Sequence, residues 1–315
     1  MVSRPPRKMI DCHVHLAAFS EGSNGCYISP RMSQSPIFKF LLWKHGLSGL
    51  TPGAANQQYV DNLLEELRAS EFVGQAVLLG MDGAYDTEGR LDQQATEFLV
   101  SNDYVLNTTQ TYPEDFLAGV SINPQRRDAL DELHRCAEAG ATLVKILPNT
   151  QQFDPANPAY KPFYQALAKL GIPLLSHVGY EFSLISRDQT LGDPHRLRVA
   201  LDEGATVIAA HACSYGLMLY EKFNPTFLDL VNRYQNFYAD ISALTQPNRF
   251  KMLLLLRHHP EVHHRLLFGT DYPLPVLHLP AWGRVGFTNL KKIVRTTNRF
   301  DRQFQICRTL GVQFG

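Results

Sequence analysis

Short apolar runs recur along the chain, and longer segments with helical spacing of apolar residues lie between them. Eight of these runs are predicted to be strands: residues 8–14, 73–80, 117–122, 141–147, 172–177, 205–211, 236–241 and 265–270. Several are almost continuously apolar, which is typical of strands buried on both faces of a parallel sheet. The pattern therefore predicts a buried parallel sheet.

Helices are predicted where apolar residues are spaced three and four apart between the strands. The predicted segments are 56–70, 125–139, 159–170, 193–203, 217–234, 246–258 and 288–310, the last interrupted near 298–301. Gly140 and Gly171 follow two of these segments and suit helix C-caps. Asp193 precedes Pro194, which is the pattern of an N-cap followed by proline at the first helical position.

Repeated alternation of strands and helices predicts a single-domain (β/α)8 barrel, the TIM-barrel fold, over residues 1–315. A doubly wound open sheet is the alternative, but no glycine-rich phosphate loop follows the first strand, as it does in common enzymes of that class. The longest irregular stretch is residues 17–55, an expected insertion after the first strand. In a barrel this insertion would lie over the catalytic face.

Composition restricts the partners that the sequence favours. The chain has 30 Lys and Arg against 30 Asp and Glu, so its zero formal charge predicts no general attraction to nucleic acid or to an anionic membrane, although local patches stay open. No apolar run is long enough to span a bilayer, and no signal peptide is expected. Five cysteines without a C-x-x-C pair favour a reducing, cytoplasmic location. We expect a small-molecule substrate, and aromatic residues in the insertion make a homodimer plausible.

The first predicted strand ends in Asp11-Cys-His13-Val-His15. Residues two apart in a strand project from the same face, so both imidazoles are expected at the rim where barrel active sites lie. Imidazole is a common ligand of divalent metals. Cys12, between the two histidines, is expected to face the helices.

Three other predicted strands also end in a potential ligand. His177 and His211 end the fifth and sixth strands, and Asp271 follows the eighth. Barrel closure places the first strand beside the eighth, and all four strand ends converge on one mouth. The sequence therefore predicts a metal site at that mouth.

These motifs, taken in order, resemble the amidohydrolase superfamily, and most closely its amidohydrolase-2 branch. The resemblance also includes Lys145, within residues 140–149, and Phe268-Gly-Thr-Asp271-Tyr-Pro. It implies that His13, His15, His177 and Asp271 bind the metal. It further implies that Lys145 and His211 are the candidate ligands of a second ion, and that His211 assists catalysis if there is only one.

The resemblance implies a metal-dependent enzyme, with zinc as the expected ion and two ions as the alternative to one. Asp271 would take a proton from water, and His211 would orient water or stabilise charge on the substrate oxygen. This chemistry predicts hydrolysis of a small amide, lactone or other ester. A decarboxylase of a carboxylated aromatic acid is the alternative, with Arg31 or Arg187 as the cation for the substrate carboxylate. A non-catalytic barrel that binds a metal or ligand is a third reading.

Overall fold

Eight parallel strands pair in sequence order around a barrel in the computed structural model, which describes residues 8–217 and 220–314. The strands are β1 (Met9–His15), β2 (Val73–Leu79), β3 (Phe116–Ser121), β4 (Ala141–Ile146), β5 (Leu174–Ser176), β6 (Val207–Ala209), β7 (Phe237–Asp240) and β8 (Leu266–Leu267). Each overlaps a predicted strand, so the predicted order is confirmed.

Backbone hydrogen bonds join the last strand to the first. The amide of Cys12 donates to the carbonyl oxygen of Phe268 at 3.0 Å, and the amide of His15 donates to that of Tyr272 at 2.9 Å. The ends of the sheet therefore meet, which confirms the predicted TIM barrel and excludes the open sheet.

Helices cover the outside of the barrel and part of its mouth. They are α1 (Pro30–Gln34), α2 (Pro36–Lys44), α3 (Pro52–Arg68), α4 (Asn102–Thr111), α5 (Ala129–Glu138), α6 (Pro148–Gln151), α7 (Lys161–Leu170), α8 (Arg198–Asp202), α9 (Asn224–Arg233), α10 (Phe250–Leu256), α11 (Phe287–Arg295) and α12 (Arg299–Thr309). Every predicted helical segment overlaps one of them, and residues 218 and 219 of the predicted segment 217–234 lie outside the described residues. No helix of the described residues is both long and apolar enough to cross a membrane.

Helix α4 is not among the predicted helices. Five of its ten residues are Asn or Thr, which are weak helix formers. Its N-terminus is capped by Ser101, whose hydroxyl accepts from the amide of Tyr104, and Val105 and Leu106 are buried. Packing against the barrel therefore overrides the low helix propensity of this segment.

The insertion after β1 is more ordered than the sequence predicts. Residues 17–55 contain α1, α2, the start of α3, and a short strand, Tyr27–Ile28, that pairs with Phe98–Leu99. Ser29-Pro30 and Ser35-Pro36 start the first two helices, because each serine caps the helix and each proline takes its first position. The prediction of an irregular stretch was wrong, because it did not take these two Ser-Pro helix starts into account.

The barrel interior is filled by a cluster of apolar side chains. Its buried members are Val77, Leu79, Leu143, Leu175, Ile208 and Ala210. Cys12 packs against this cluster, so the expectation that it faces the helices is wrong. The pairing of β1 with β2 shifts register between Asp11 and Val14, and this bulge breaks the strict alternation of β1 side chains.

His45 directly follows helix α2 and is partly buried. Its ring lies 6.5 Å from that of Tyr59 and 6.4 Å from that of Tyr272, between centroids. Its Nε2 is buried and has no hydrogen-bond partner among the described residues. Burial, and then the charges of Arg299 and Lys44, lower the pKa of His45 to about 4, although Glu66 opposes them.

We expect His45→Gln to reduce the acid sensitivity of folding. The unfolded chain takes up a proton on His45 near pH 6.5, whereas the folded protein does so only near pH 4, so stability falls as pH drops through this window. With solvent screening allowed for, the variant should avoid a loss of about 1 kcal/mol between pH 7 and pH 5. Urea unfolding at both pH values measures this. The exposed His264→Gln is the control, and an unchanged pH dependence in His45→Gln would contradict the assignment.

Candidate metal centre

Three potential ligand atoms meet at the mouth of the barrel. The Nε2 atoms of His13 and His15 are 3.3 Å apart, and Asp271 Oδ1 lies 3.4 Å from the first and 3.2 Å from the second. Ligands held about 2.1 Å from one metal ion are separated by about 3.0–3.4 Å. The two imidazoles and the carboxylate therefore fit a single divalent ion, and the structure brings these three predicted residues together.

A second carboxylate, that of Asp240 at the end of β7, contacts the ring nitrogen of His13 that is not one of the three potential ligand atoms. Its Oδ2 lies 2.7 Å from His13 Nδ1, and its Oδ1 accepts from the amides of His211 at 3.0 Å and Ser242 at 2.9 Å. A carboxylate on Nδ1 fixes the tautomer that leaves the Nε2 lone pair free for a metal. The sequence analysis missed Asp240. This residue ends a strand, in the same way that the predicted ligand Asp271 follows one.

His177 and His211 form a neighbouring pair. His177 Nδ1 lies 3.3 Å from His211 Nε2, and the rings of His13 and His211 stack with centroids 5.3 Å apart. Among the described residues, the other nitrogen of His177 is buried without a hydrogen-bond partner, 3.7 Å from a carboxylate oxygen of Glu181. His177 thus adjoins the three-atom group through His211 and is not part of it.

Lys145 is buried beside the same group. Its Nζ lies 3.3 Å from His13 Nε2. Burial lowers the pKa of Lys145 to about 8, against the opposing charges of Asp240 and Asp271. The amine therefore gives up its proton far more readily than an exposed lysine does, and its place next to the histidines is the one that the sequence predicts.

Burial sets the charge of the remaining site groups. It lowers the pKa of His177 and of His211 well below the usual range, and the charge of Arg249 adds to the effect. Burial alone would raise the pKa of Asp271, but the surrounding imidazoles, His13 foremost, hold it well below its usual range. At neutral pH the site therefore combines the ionised carboxylate of Asp271 with the neutral imidazoles of His177 and His211, the forms that bind metals.

Two site residues occupy left-handed backbone conformations. His211 has φ 58° and is followed by Ala212 and Cys213 at 47° and 59°, while Asp271 has φ 65°. Such conformations cost about 1–2 kcal/mol for each residue with a side chain. Hydrogen bonds hold them, because the His211 amide donates to Asp240 and the Asp271 amide donates to the carbonyl of His13. The backbone conformation that these hydrogen bonds hold sets the direction of both side chains.

Arg249 is a further buried residue that the sequence analysis missed. Its guanidinium donates to the carbonyl oxygens of Val178 at 3.3 Å, Tyr180 at 2.9 Å and Ser214 at 3.1 Å. The first two belong to the loop after β5 and the third to the loop after β6. Arg249 therefore ties together the two loops that begin with His177 and His211.

We expect Arg249→Met to lower the free energy of unfolding by about 3 kcal/mol or more, because three carbonyl oxygens lose their buried donor. Urea unfolding measures this loss. Arg295→Met, at an exposed arginine on α11, should change stability by no more than about 0.5 kcal/mol. An Arg249→Met protein as stable as this control would contradict the bridging role.

The two arginines predicted as carboxylate ligands lie elsewhere. The Arg31 side chain is 73% exposed and sits 3.7 Å from a carboxylate oxygen of Glu97. Arg187 is exposed in the loop after β5. Neither guanidinium contacts the histidine and aspartate cluster among residues 8–217 and 220–314.

Solved structures share this architecture. An uncharacterised TIM-barrel protein from Bordetella bronchiseptica is 17% identical with a TM-score of 0.61, covering 97% of both chains. A proposed 2-pyrone-4,6-dicarboxylic acid hydrolase from Pseudomonas putida is 15% identical with a TM-score of 0.51, covering 98% of this chain and 99% of its own. A 5-carboxyvanillate decarboxylase from Novosphingobium aromaticivorans, solved with bound manganese, is 14% identical with a TM-score of 0.52, covering 95% and 94%. These likenesses establish the fold.

Family membership follows from the sequence itself. A comparison with curated proteins finds no match. The family model described as Amidohydrolase, the amidohydrolase-2 group, matches residues 10–288, which is most of the chain. The predicted resemblance is therefore confirmed, and the chain belongs to the amidohydrolase-2 family, whose members are metal-dependent hydrolases and decarboxylases.

Proposed function

We propose that this protein is a metal-dependent hydrolase that acts on a small amide, lactone or other ester. The supporting observation is the group of three donor atoms from His13, His15 and Asp271, whose separations of 3.2–3.4 Å suit one divalent ion. His177 is the proposed fourth ligand. Zinc is the proposed metal, since two or three imidazoles and a carboxylate are ligands that it commonly takes.

Each site residue has a distinct task in this proposal. A divalent ion held here would polarise a carbonyl group and lower the pKa of water toward about 7. Asp271, kept ionised, accepts the proton that water loses as it attacks the substrate. His211 orients the attacking water through Nε2, because its Nδ1 lies 3.1 Å from the carbonyl oxygen of Ser242 and carries the proton of the neutral ring. Asp240 holds the ring of His13 while this happens.

The surroundings of the site favour hydrolysis over decarboxylation. A decarboxylase of the kind considered needs a cation for the substrate carboxylate. Arg31 and Arg187 lie away from the cluster, and both amino groups of the buried Arg249 already donate to backbone carbonyls. Lys145 contacts the cluster, but its Nζ lies 3.3 Å from His13 Nε2, where an ion bound by that histidine would repel a charged amine. We therefore propose hydrolysis first.

We propose that each chain binds one metal ion, with two ions as the alternative. A second ion would draw on the pair formed by His177 Nδ1 and His211 Nε2, with Lys145 nearby. For Lys145 to bridge two ions, its amine would have to react with carbon dioxide to give a carboxylate. Mass spectrometry of the intact metal-loaded protein tests this modification.

Turnover by zinc-loaded protein tests the proposed reaction. The substrate panel should contain amides, lactones and other esters beside carboxylated aromatic acids. Hydrolysis products from the first group, with no release of carbon dioxide from the second, would support the proposal. Carbon dioxide released from an intact ring would identify a decarboxylase. No turnover by fully metallated protein, together with tight binding of a panel member, would favour a non-catalytic barrel.

A further inference from the structure

The charges of this neutral chain are distributed unevenly. Residues 22–60 and 272–300 hold no Asp or Glu, yet they contain eight of the 30 basic residues. The rest of the chain therefore has a formal charge of −8 and these two segments together have +8. The expectation of no membrane contact rests on the net charge of the whole chain. A net charge of zero does not show that the positive and negative charges lie in different parts of the chain.

The two acid-free segments lie on one side of the barrel mouth. Residues 22–60 belong to the connection after β1, and residues 272–300 belong to the connection after β8, and β1 and β8 are neighbours by barrel closure. A surface pocket is lined by Lys44 from the end of α2, by Pro275 and Val276 from the other segment, and by Glu65 and Glu66 of α3. The end of one segment therefore adjoins the other.

Most cations of these segments lack an acidic partner among the described residues. Six are exposed and form no ion pair with any residue that the structure describes: Lys39, Lys44, Arg284, Lys291, Lys292 and Arg295. Arg31 and Arg299 are paired with Glu97 and Glu66. Exposed positive charge therefore accumulates on α2, on α11 and on the loop before α11.

Large aromatic side chains stand among these cations. Both tryptophans of the chain are here, Trp43 with 69% and Trp282 with 59% of its surface exposed, and so are Phe40 at 56% and Phe287 at 79%. On α11, Phe287 is followed four residues later by Lys291, a spacing that places an aromatic and a cation on one helix face. We call these exposed cations and aromatics of residues 22–60 and 272–300 the basic aromatic surface.

The positive charge of this surface restricts the kinds of partner that can bind to it. A two-fold dimer would bring the surface against its own copy, and the like charges would repel. An anionic bilayer offers the complementary charge, and its interfacial region accepts Trp and Phe side chains without a shaped pocket on the other side. We propose that the basic aromatic surface docks the protein on anionic lipid membranes, with the barrel mouth near the lipid.

Flotation with lipid vesicles tests this proposal on the full, metal-loaded chain. We expect binding to vesicles that contain phosphatidylserine, at least about tenfold tighter than to pure phosphatidylcholine, and weakened by salt. Lys291→Glu with Lys292→Glu should reduce the affinity by at least about tenfold, because each basic residue near the lipid is worth roughly a fivefold change. Trp282→Ala with Phe287→Ala should reduce binding while leaving its salt dependence in place.

A matched control keeps the result specific. Lys169→Glu with Leu170→Ala changes an exposed cation and an exposed apolar residue at the end of α7, outside the basic aromatic surface, and should leave vesicle binding unchanged. Melting temperature and metal content should be the same in all variants. These readouts do not depend on the proposed reaction, so membrane docking and hydrolysis can fail separately.

Three outcomes would overturn the proposal. The first is equal or absent binding to both kinds of vesicle. The second is a dimer that dissociates in the Trp282→Ala, Phe287→Ala protein, which would assign the surface to a second copy. The third is salt-sensitive binding to poly-glutamate without binding to vesicles, which would assign it to an acidic protein.

Discussion

Replacing Asp271 with asparagine should lower turnover by about a thousandfold or more. Asparagine has nearly the same shape and can still offer an oxygen to a metal, but its amide cannot accept a proton from the attacking water. General bases contribute about 10²–10⁴ to rates, and Asp271 is kept ionised for this task by the imidazoles around it. Its side chain lies at the mouth, within 3.4 Å of both His13 and His15.

Turnover of Asp271→Asn must be compared at equal metal content. Steady-state kinetics, with the metal per chain measured on the same sample, separates loss of the base from loss of the ion. Asp229→Asn is the control, since this aspartate pairs with Arg198 on the protein surface. Unchanged turnover in fully metallated Asp271→Asn would show that another group takes the proton.

Asp240→Asn should weaken both metal binding and the fold. The carboxylate serves His13 Nδ1 on one side and two backbone amides on the other, and an amide group must turn its NH₂ toward one of these. Loss of a carboxylate that orients a metal-binding histidine typically costs about 10–100-fold in metal affinity. Breaking a buried charged contact of this kind costs about 3 kcal/mol of stability or more.

A second buried aspartate provides the matched control. Asp82 accepts from the amide of Asn123 at 2.8 Å and from the hydroxyl of Tyr85 at 2.9 Å, away from the histidines. Asp82→Asn should lower stability and leave zinc affinity, measured by competition with a chelator, as it is in the wild type. If Asp240→Asn also kept its zinc affinity, the histidine would not depend on this carboxylate for its orientation.

The barrel could be predicted because its signal is local and repeated. Strands such as β2 and β4 are short apolar runs bounded by polar turns, and this pattern depends only on burial. Helix α4 could not be predicted in this way, because contacts with the barrel stabilise a segment rich in Asn and Thr. The register shift in β1 was equally hidden, since only pairing with β2 reveals it.

The site residues also differ in whether a local sequence signal or a long-range contact marks them. His13, His15 and Asp271 could be predicted because each marks the end of a buried strand, where a barrel gathers its functional groups. The same rule could have identified Asp240, which is the last residue of β7. Arg249 was not, because it acts on backbone carbonyl oxygens of two other loops, and no sequence pattern marks which carbonyls lack a partner.

Metal analysis of the protein, purified without an affinity tag, tests the central claim most directly. We predict about one zinc ion per chain in the wild type, lost in His15→Ala and reduced in His177→Ala if that residue is the fourth ligand. About two ions per chain would instead place a second one with His177, His211 and Lys145. A wild-type chain that holds no metal, even after reconstitution with zinc, manganese or iron, would contradict the proposed metal centre.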